Sequence, residues 1–132
     1  MRVFVRSTGL FTYPDVMVVC GEPRLQNSVF DTLLNPTVLI EVLSPSTEAY
    51  DRGRKFEHYQ SIDSLKEYLL VDSTRVHAEL YTRQPDRRWL LTSANGLEAS
   101  LSLESIECAL ALKDLYEGIT LDPEPPPPEE SR

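Results

Sequence analysis

Seven residues, Thr37-Val38-Leu39-Ile40-Glu41-Val42-Leu43, constrain this chain most strongly. They are apolar on both alternating faces, the pattern of a central strand covered on both sides. Ser44-Pro45-Ser46-Thr47 breaks the run. A helix is predicted from about Thr47 to Ile62, with Thr47 as N-cap and Glu48 and Asp51 acidic in its first turns. A second apolar strand follows at Glu67 to Val71. Strand, helix and strand in that order require a parallel crossover.

The flanking segments read as antiparallel. Val3 to Arg6 and Val16 to Cys20, separated by a turn containing Gly9, suggest a hairpin. Residues 21–36 read as a long irregular connection with one helical turn. His77 to Arg83 and Trp89 to Ser93 are strands joined around Pro85-Asp86, a good turn pair. Leu110 to Glu117 reads as a short closing helix ended by Gly118. The expected fold class is α/β or α+β, a mixed central sheet with one main crossover helix.

Length and composition narrow the classes further. With 132 residues, 41% of them hydrophobic, the chain fits one domain over residues 1–121. Residues 122–132 form a Pro/Glu-rich segment with no helical pattern, expected to be a disordered tail. Its four acids and one base account for −3 of the −8 net charge, leaving −5 to the body. A negative body argues against a non-specific grip on phosphate backbones, while leaving room for a local basic cleft. Cys20 and Cys108 are too far apart in sequence for a zinc cluster or a redox pair. No apolar run approaches the roughly 20 residues of a membrane span, and the N-terminus lacks a secretory core, so a cytoplasmic protein is expected.

Three polar residues interrupt otherwise apolar segments. Glu41 sits mid-strand, where an ionised carboxylate needs a cation or an opening to water. The bland alternative is a wet edge or a pairing with an arginine. Asp15 follows Pro14 at the entry of Val16-Met17-Val18-Val19, and a Pro-Asp pair alone is ordinary turn chemistry. Together, though, two carboxylates on neighbouring strands can converge on one divalent cation such as magnesium. Lys55 and Tyr59 share a helix face, with Arg52 and Ile62 near that stripe and Phe56 at its side. A lysine there either snorkels to water or meets an anion. The remaining acids and His58 are assigned to a solvated face, and His77 reads as an ordinary strand residue.

Four ordered motifs, Tyr13-Pro14-Asp15-Val16-Met17-Val18-Val19, Leu39-Ile40-Glu41-Val42-Leu43-Ser44-Pro45-Ser46-Thr47, Asp51-Arg52-Gly53-Arg54-Lys55-Phe56-Glu57-His58-Tyr59 and Lys66-Glu67-Tyr68-Leu69-Leu70-Val71-Asp72, resemble the Uma-two family of restriction-endonuclease-like proteins. The resemblance covers roughly residues 1–121 and implies the PD-(D/E)XK nuclease core. Asp15 matches the aspartate of the first half-motif and Glu41 the acid of the second. Leu43 stands where a lysine is expected two residues later, and Lys55 on the following helix takes its place, with Tyr59 in support. The resemblance also implies the Val42 carbonyl as a further ligand for Mg2+ or Mn2+, and DNA as substrate.

The implied activity is metal-dependent endonucleolytic hydrolysis of DNA phosphodiesters. The alternative is a catalytically inactive nuclease-fold module for interaction or dimerisation. Relatives carry about two helices before the first hairpin, whereas this sequence begins at the hairpin. Surface left uncovered by such helices leads to the expectation of a homo-oligomer, a homodimer in the simplest case.

Overall fold

The computed structural model describes residues 2–26, 32–117, 121 and 123. Among the described residues, ten strands form three sheets. The first is a three-stranded sheet of β1 (Arg2–Val5), β2 (Leu10–Thr12) and β4 (Thr32–Leu33), in the order β2-β1-β4. The second has five strands: β3 (Val16–Val18), β5 (Val38–Leu43), β6 (Glu67–Asp72), β7 (His77–Arg83) and β8 (Trp89–Asn95), in that spatial order. A two-stranded ribbon joins β9 (Ser100–Leu103) to β10 (Cys108–Ala111). The mixed character expected from the sequence holds, since β5 and β6 are parallel while every other pair of the five-stranded sheet is antiparallel.

Several elements depart from the sequence reading. The first hairpin pairs β1 with β2 through a turn in which Gly9 adopts φ 75°, a conformation glycine reaches without a Cβ penalty. Val16–Val18 instead crosses to the larger sheet and pairs with β5. Proline lacks the N–H a ladder needs, so Pro14 is a natural point for the chain to leave one sheet for the other. The connection 21–36 contributes β4, whose two residues are too few to carry a strand pattern; residues 27–31 lie outside the described residues.

The single helix expected over Thr47–Ile62 is two short ones, α1 (Glu48–Arg52) and α2 (Arg54–Gln60), interrupted at Gly53. Glycine is a poor helix former, and a Cβ at this position would lie 3.1 Å from the Ala49 carbonyl oxygen. Thr47 occupies the N-cap position but makes no side-chain cap; its hydroxyl bonds the Ser44 N–H at 3.3 Å and the Ser44 hydroxyl at 2.9 Å. The closing helix shrinks to α3 (Leu112–Leu115), because Leu110 and Ala111 belong to β10. Gly118 and the acidic tail, Pro123 apart, lie outside the described residues.

Strand alternation divides the apolar residues into two layers. On one face of the five-stranded sheet, Leu39, Leu43, Tyr68 and Leu70 meet Phe56 and Tyr59 of α2, with Val3, Val5 and Leu33 of the small sheet completing the layer. Phe56 lies 4.4 Å from Tyr81 and 5.2 Å from both Tyr68 and Trp89, ring centre to ring centre. On the other face, Val38, Leu69 and Leu80 pack under Leu101, Leu103, Leu112 and Tyr116. That cover does not reach Val42, which is 48% exposed, so β5 is closed on both sides only over part of its length. No helix among the described residues is long and apolar enough to cross a membrane.

Candidate active site

Glu41 lies on the helix-facing side of β5 and is only 3% exposed. Alternation puts Leu39 and Leu43 on its own face, and register places Leu70 of β6 beside it. The cation it requires comes from above. Lys55 of α2 brings Nζ to 2.9 Å from Glu41 Oε1, and Tyr59, one turn further along, donates its hydroxyl proton to the same oxygen at 3.0 Å. The i, i+4 stripe on the helix thus meets one carboxylate. Tyr59 gives its proton to Glu41, so the Thr12 hydroxyl, 2.8 Å away on β2, donates to the Tyr59 oxygen.

Asp51 completes the cluster. Its carboxylate is 3.4 Å from Lys55 Nζ, it is 3% exposed, and its backbone carbonyl accepts the Tyr68 hydroxyl at 3.0 Å. Assigning it to a solvated face was therefore incorrect. A first-turn acid on an amphipathic helix reads equally well as a dipole partner, and only the i, i+4 spacing to Lys55 signalled its place. His58 departs as well: it is half-buried, and its Nδ1 has no hydrogen-bond partner. His77 is a strand residue of β7 but a buried one, its Nδ1 2.5 Å from Asn95 Oδ1.

Asp15 reaches β5 differently. The register pairs Val16 with Ile40, so Asp15 stands just past the end of β3, level with Glu41. It is exposed, and its Oδ2 accepts the Val42 N–H at 2.7 Å. In an extended strand a residue's N–H and C=O leave on the same side, so the Val42 carbonyl also belongs to the Asp15 edge. Glu41, Lys55 and Tyr59 are in direct contact; Asp15 and Val42 form a second contact one residue along the strand.

Charge is incompletely balanced here. Burial pushes the Glu41 carboxyl above its ordinary range, opposed by the hydrogen bond and charge of Lys55. Burial pulls the Lys55 ammonium down, but Glu41 and then Asp51 outweigh it, leaving Lys55 above the usual lysine value. Burial, reinforced by the Glu41 charge, raises Tyr59 and keeps its phenol protonated. Two carboxylates, Glu41 and Asp51, thus share one ammonium. Among the described residues no group of three or more His, Cys, Asp or Glu side chains is placed to hold a metal ion. The donors available to a cation are two carboxylates and a backbone carbonyl, all hard oxygens, the set that suits magnesium or manganese with waters completing the shell. Both bonds to Glu41 fall on Oε1, leaving Oε2 uncommitted to either.

A different arrangement holds at the other end of the same strands. Glu67, fully buried at the start of β6, accepts the Ser105 N–H at 2.8 Å, the Ser105 hydroxyl at 2.5 Å and the Thr82 hydroxyl at 3.2 Å. It borders an open cavity of about 590 Å3 that also touches Thr37, Lys66 and Arg83. Neutral donors satisfy both of its oxygens, and it pins the 3-10 turn Glu104–Ile106 to the sheet.

The mixed sheet and its crossover have a counterpart among solved structures. The crystal structure of a "putative nuclease belonging to DUF820" from Anabaena variabilis matches with a TM-score of 0.67 at 19% identity, over 88% of this chain and 64% of that one. The chain belongs to the Uma2 family, described as "Putative restriction endonuclease", whose model matches residues 1–113. Two proteins of Synechocystis are similar in sequence: slr1290, 40% identical over 90% of this chain and 61% of its own length, and sll1609, 38% identical over 76% and 57%. Both are called uncharacterized. The chain spans about six-tenths of the length of these relatives.

Proposed function

We propose that the chain carries the core of a divalent-metal-dependent endonuclease that hydrolyses DNA phosphodiesters, acting in the cytoplasm. The observation that carries this reading is the Lys55 ammonium 2.9 Å from the buried Glu41 carboxylate, with Asp15 level with it on the neighbouring strand. Asp15, Glu41 and the Val42 carbonyl would hold Mg2+ or Mn2+, which supplies an acidified water and offsets charge on the phosphate. Each residue has a distinct task. Glu41 is held in place by Tyr59, whose raised pKa keeps it a donor throughout the neutral range. Lys55, charged and anchored between Glu41 and Asp51, orients the attacking water or meets the charge that develops on the phosphoryl oxygens. Thr12 fixes Tyr59 from behind.

One observation favours the rival, a nuclease fold kept as an interaction module: Lys55 already supplies Glu41 with a counter-charge inside the chain. Supercoiled-plasmid cleavage in Mg2+ or Mn2+, run beside Asp15→Asn and Glu41→Gln, tests the proposal. Nicking that requires the metal and vanishes in both variants supports it. No nicking, together with no metal-dependent rise in melting temperature, refutes it.

A further inference from the structure

Strand β8 is the outermost strand of the five-stranded sheet and pairs with β7 alone. Its register fixes which backbone groups are used. The Gln84 N–H donates to the Arg88 carbonyl at 2.7 Å and the Gly96 N–H to the Val76 carbonyl at 2.9 Å, so the even-numbered residues of β8 bond to β7. Trp89, Leu91, Ser93 and Asn95 turn their N–H and C=O groups outward, where no backbone partner meets them among the described residues. Proteins usually blunt such an edge with lysine, proline or a bulge. Here the seven residues Trp-Leu-Leu-Thr-Ser-Ala-Asn carry no charge in a chain of net charge −8, contain no proline, and run in unbroken register. Leu90 and Leu91 are 56% and 47% exposed.

We propose that β8 is the docking edge for a second copy of this chain, paired antiparallel about a two-fold axis at Thr92, so that two five-stranded sheets become one. The self-complementarity of the strand argues for this occupant. With the axis at Thr92, the outward-facing residues pair with one another, Trp89 with the second copy's Asn95 and Leu91 with its Ser93. Large side chains then stand opposite small ones, Leu90 facing Ala94, and Thr92 faces itself, a favourable cross-strand pair. Charge agrees within the strand: in this register no charged residue of β8 faces another, in a chain whose net charge of −8 otherwise opposes self-association. The contact is isologous and therefore closes on itself instead of growing into a fibre. With seven residues a side, it is a small interface and should associate weakly.

Thr92 is exposed, so Thr92→Lys and Thr92→Glu should each fold, which far-ultraviolet dichroism melts verify. Each places like charges opposite one another at the axis. Sedimentation velocity on the full chain, from about 10 μM to about 1 mM, should show a monomer–dimer equilibrium in the wild type. Each variant should dimerise at least tenfold more weakly, and an equimolar mixture of the two should recover the dimer. A wild type that stays monomeric throughout this range, or a dimer indifferent to both substitutions, overturns the proposal.

Discussion

Replacing Lys55 by Met tests the electrostatic logic of the cluster without any metal. At 2.9 Å, with an effective dielectric of about 20, the Coulomb attraction between Lys55 and Glu41 is about 6 kcal/mol. Part of it is recovered in the variant, because Met has no charge to desolvate. Glu41 is left 3% exposed, with Tyr59 as its remaining donor and Asp51 repelling it. Breaking a buried pair from one side costs about 3–5 kcal/mol; the lower end applies here, because Glu41 can escape by binding a proton. A loss of about 3 kcal/mol in a chain of this size lowers the melting temperature by roughly 10–15 °C. The deficit should depend on pH. Removing the ammonium lifts an already raised Glu41 pKa further, and a raised carboxyl favours the fold on the acid side. The gap between variant and wild type should therefore narrow from pH 8 to pH 5. The double variant Lys55→Met/Glu41→Gln should regain more than half of the loss. Urea and thermal unfolding of all four proteins measure this cycle. A loss below about 1 kcal/mol, a gap indifferent to pH, or a double variant worse than the single would refute the reasoning.

Glu41→Gln alone should stay within about 1 kcal/mol of the wild type, since burial is the largest influence on Glu41 and Lys55 keeps Asp51. Under the proposed function, Mn2+ should raise the wild-type melting temperature and should do so much less in this variant; equal rises would place the metal elsewhere. Lys55, Tyr59 and Tyr68 all have raised pKa values, so the folded state holds these protons more tightly than the unfolded one. Their contribution is complete below the ordinary values of 10.0 for tyrosine and 10.5 for lysine and is lost as pH climbs above them. Melting temperature should fall above about pH 10, more shallowly in Tyr59→Phe, and parallel curves would contradict this assignment. Gly9→Ala should cost about 1–2 kcal/mol by chemical denaturation, because φ 75° penalises a Cβ, whereas an unchanged midpoint would mean the turn relaxes freely.

Local periodicity carried a large part of the fold. The run Val38–Leu43 announced an inner strand, the apolar strand at Glu67 required a parallel crossover, and Lys55 and Tyr59 fell on one helix face four residues apart. These features depend on neighbours within a few residues, so the sequence displays them directly. The break at Gly53 was less legible, because the helical pattern continues on both sides of it. The ribbon of β9 and β10 was missed, although Ser100-Leu101-Ser102-Leu103 alternates between exposed and buried, because four-residue strands give a weak pattern.

By itself, then, the sequence determined the mixed sheet, the crossover helix, a mid-strand glutamate in need of a cation, and the helix stripe best suited to supply it. The tertiary structure decided the rest: that Val16–Val18 leaves the first hairpin for β5, that Asp15 bonds the Val42 N–H, and that Asp51 is buried against Lys55. The physical reason is that each of these depends on segments meeting in three dimensions. Asp15 and Val42 lie 27 residues apart in the chain, and strand register alone brings them together. Asp51 and Lys55 are close in sequence, but whether their helices turn that face to water or to Glu41 is settled only when α1 and α2 pack on the sheet.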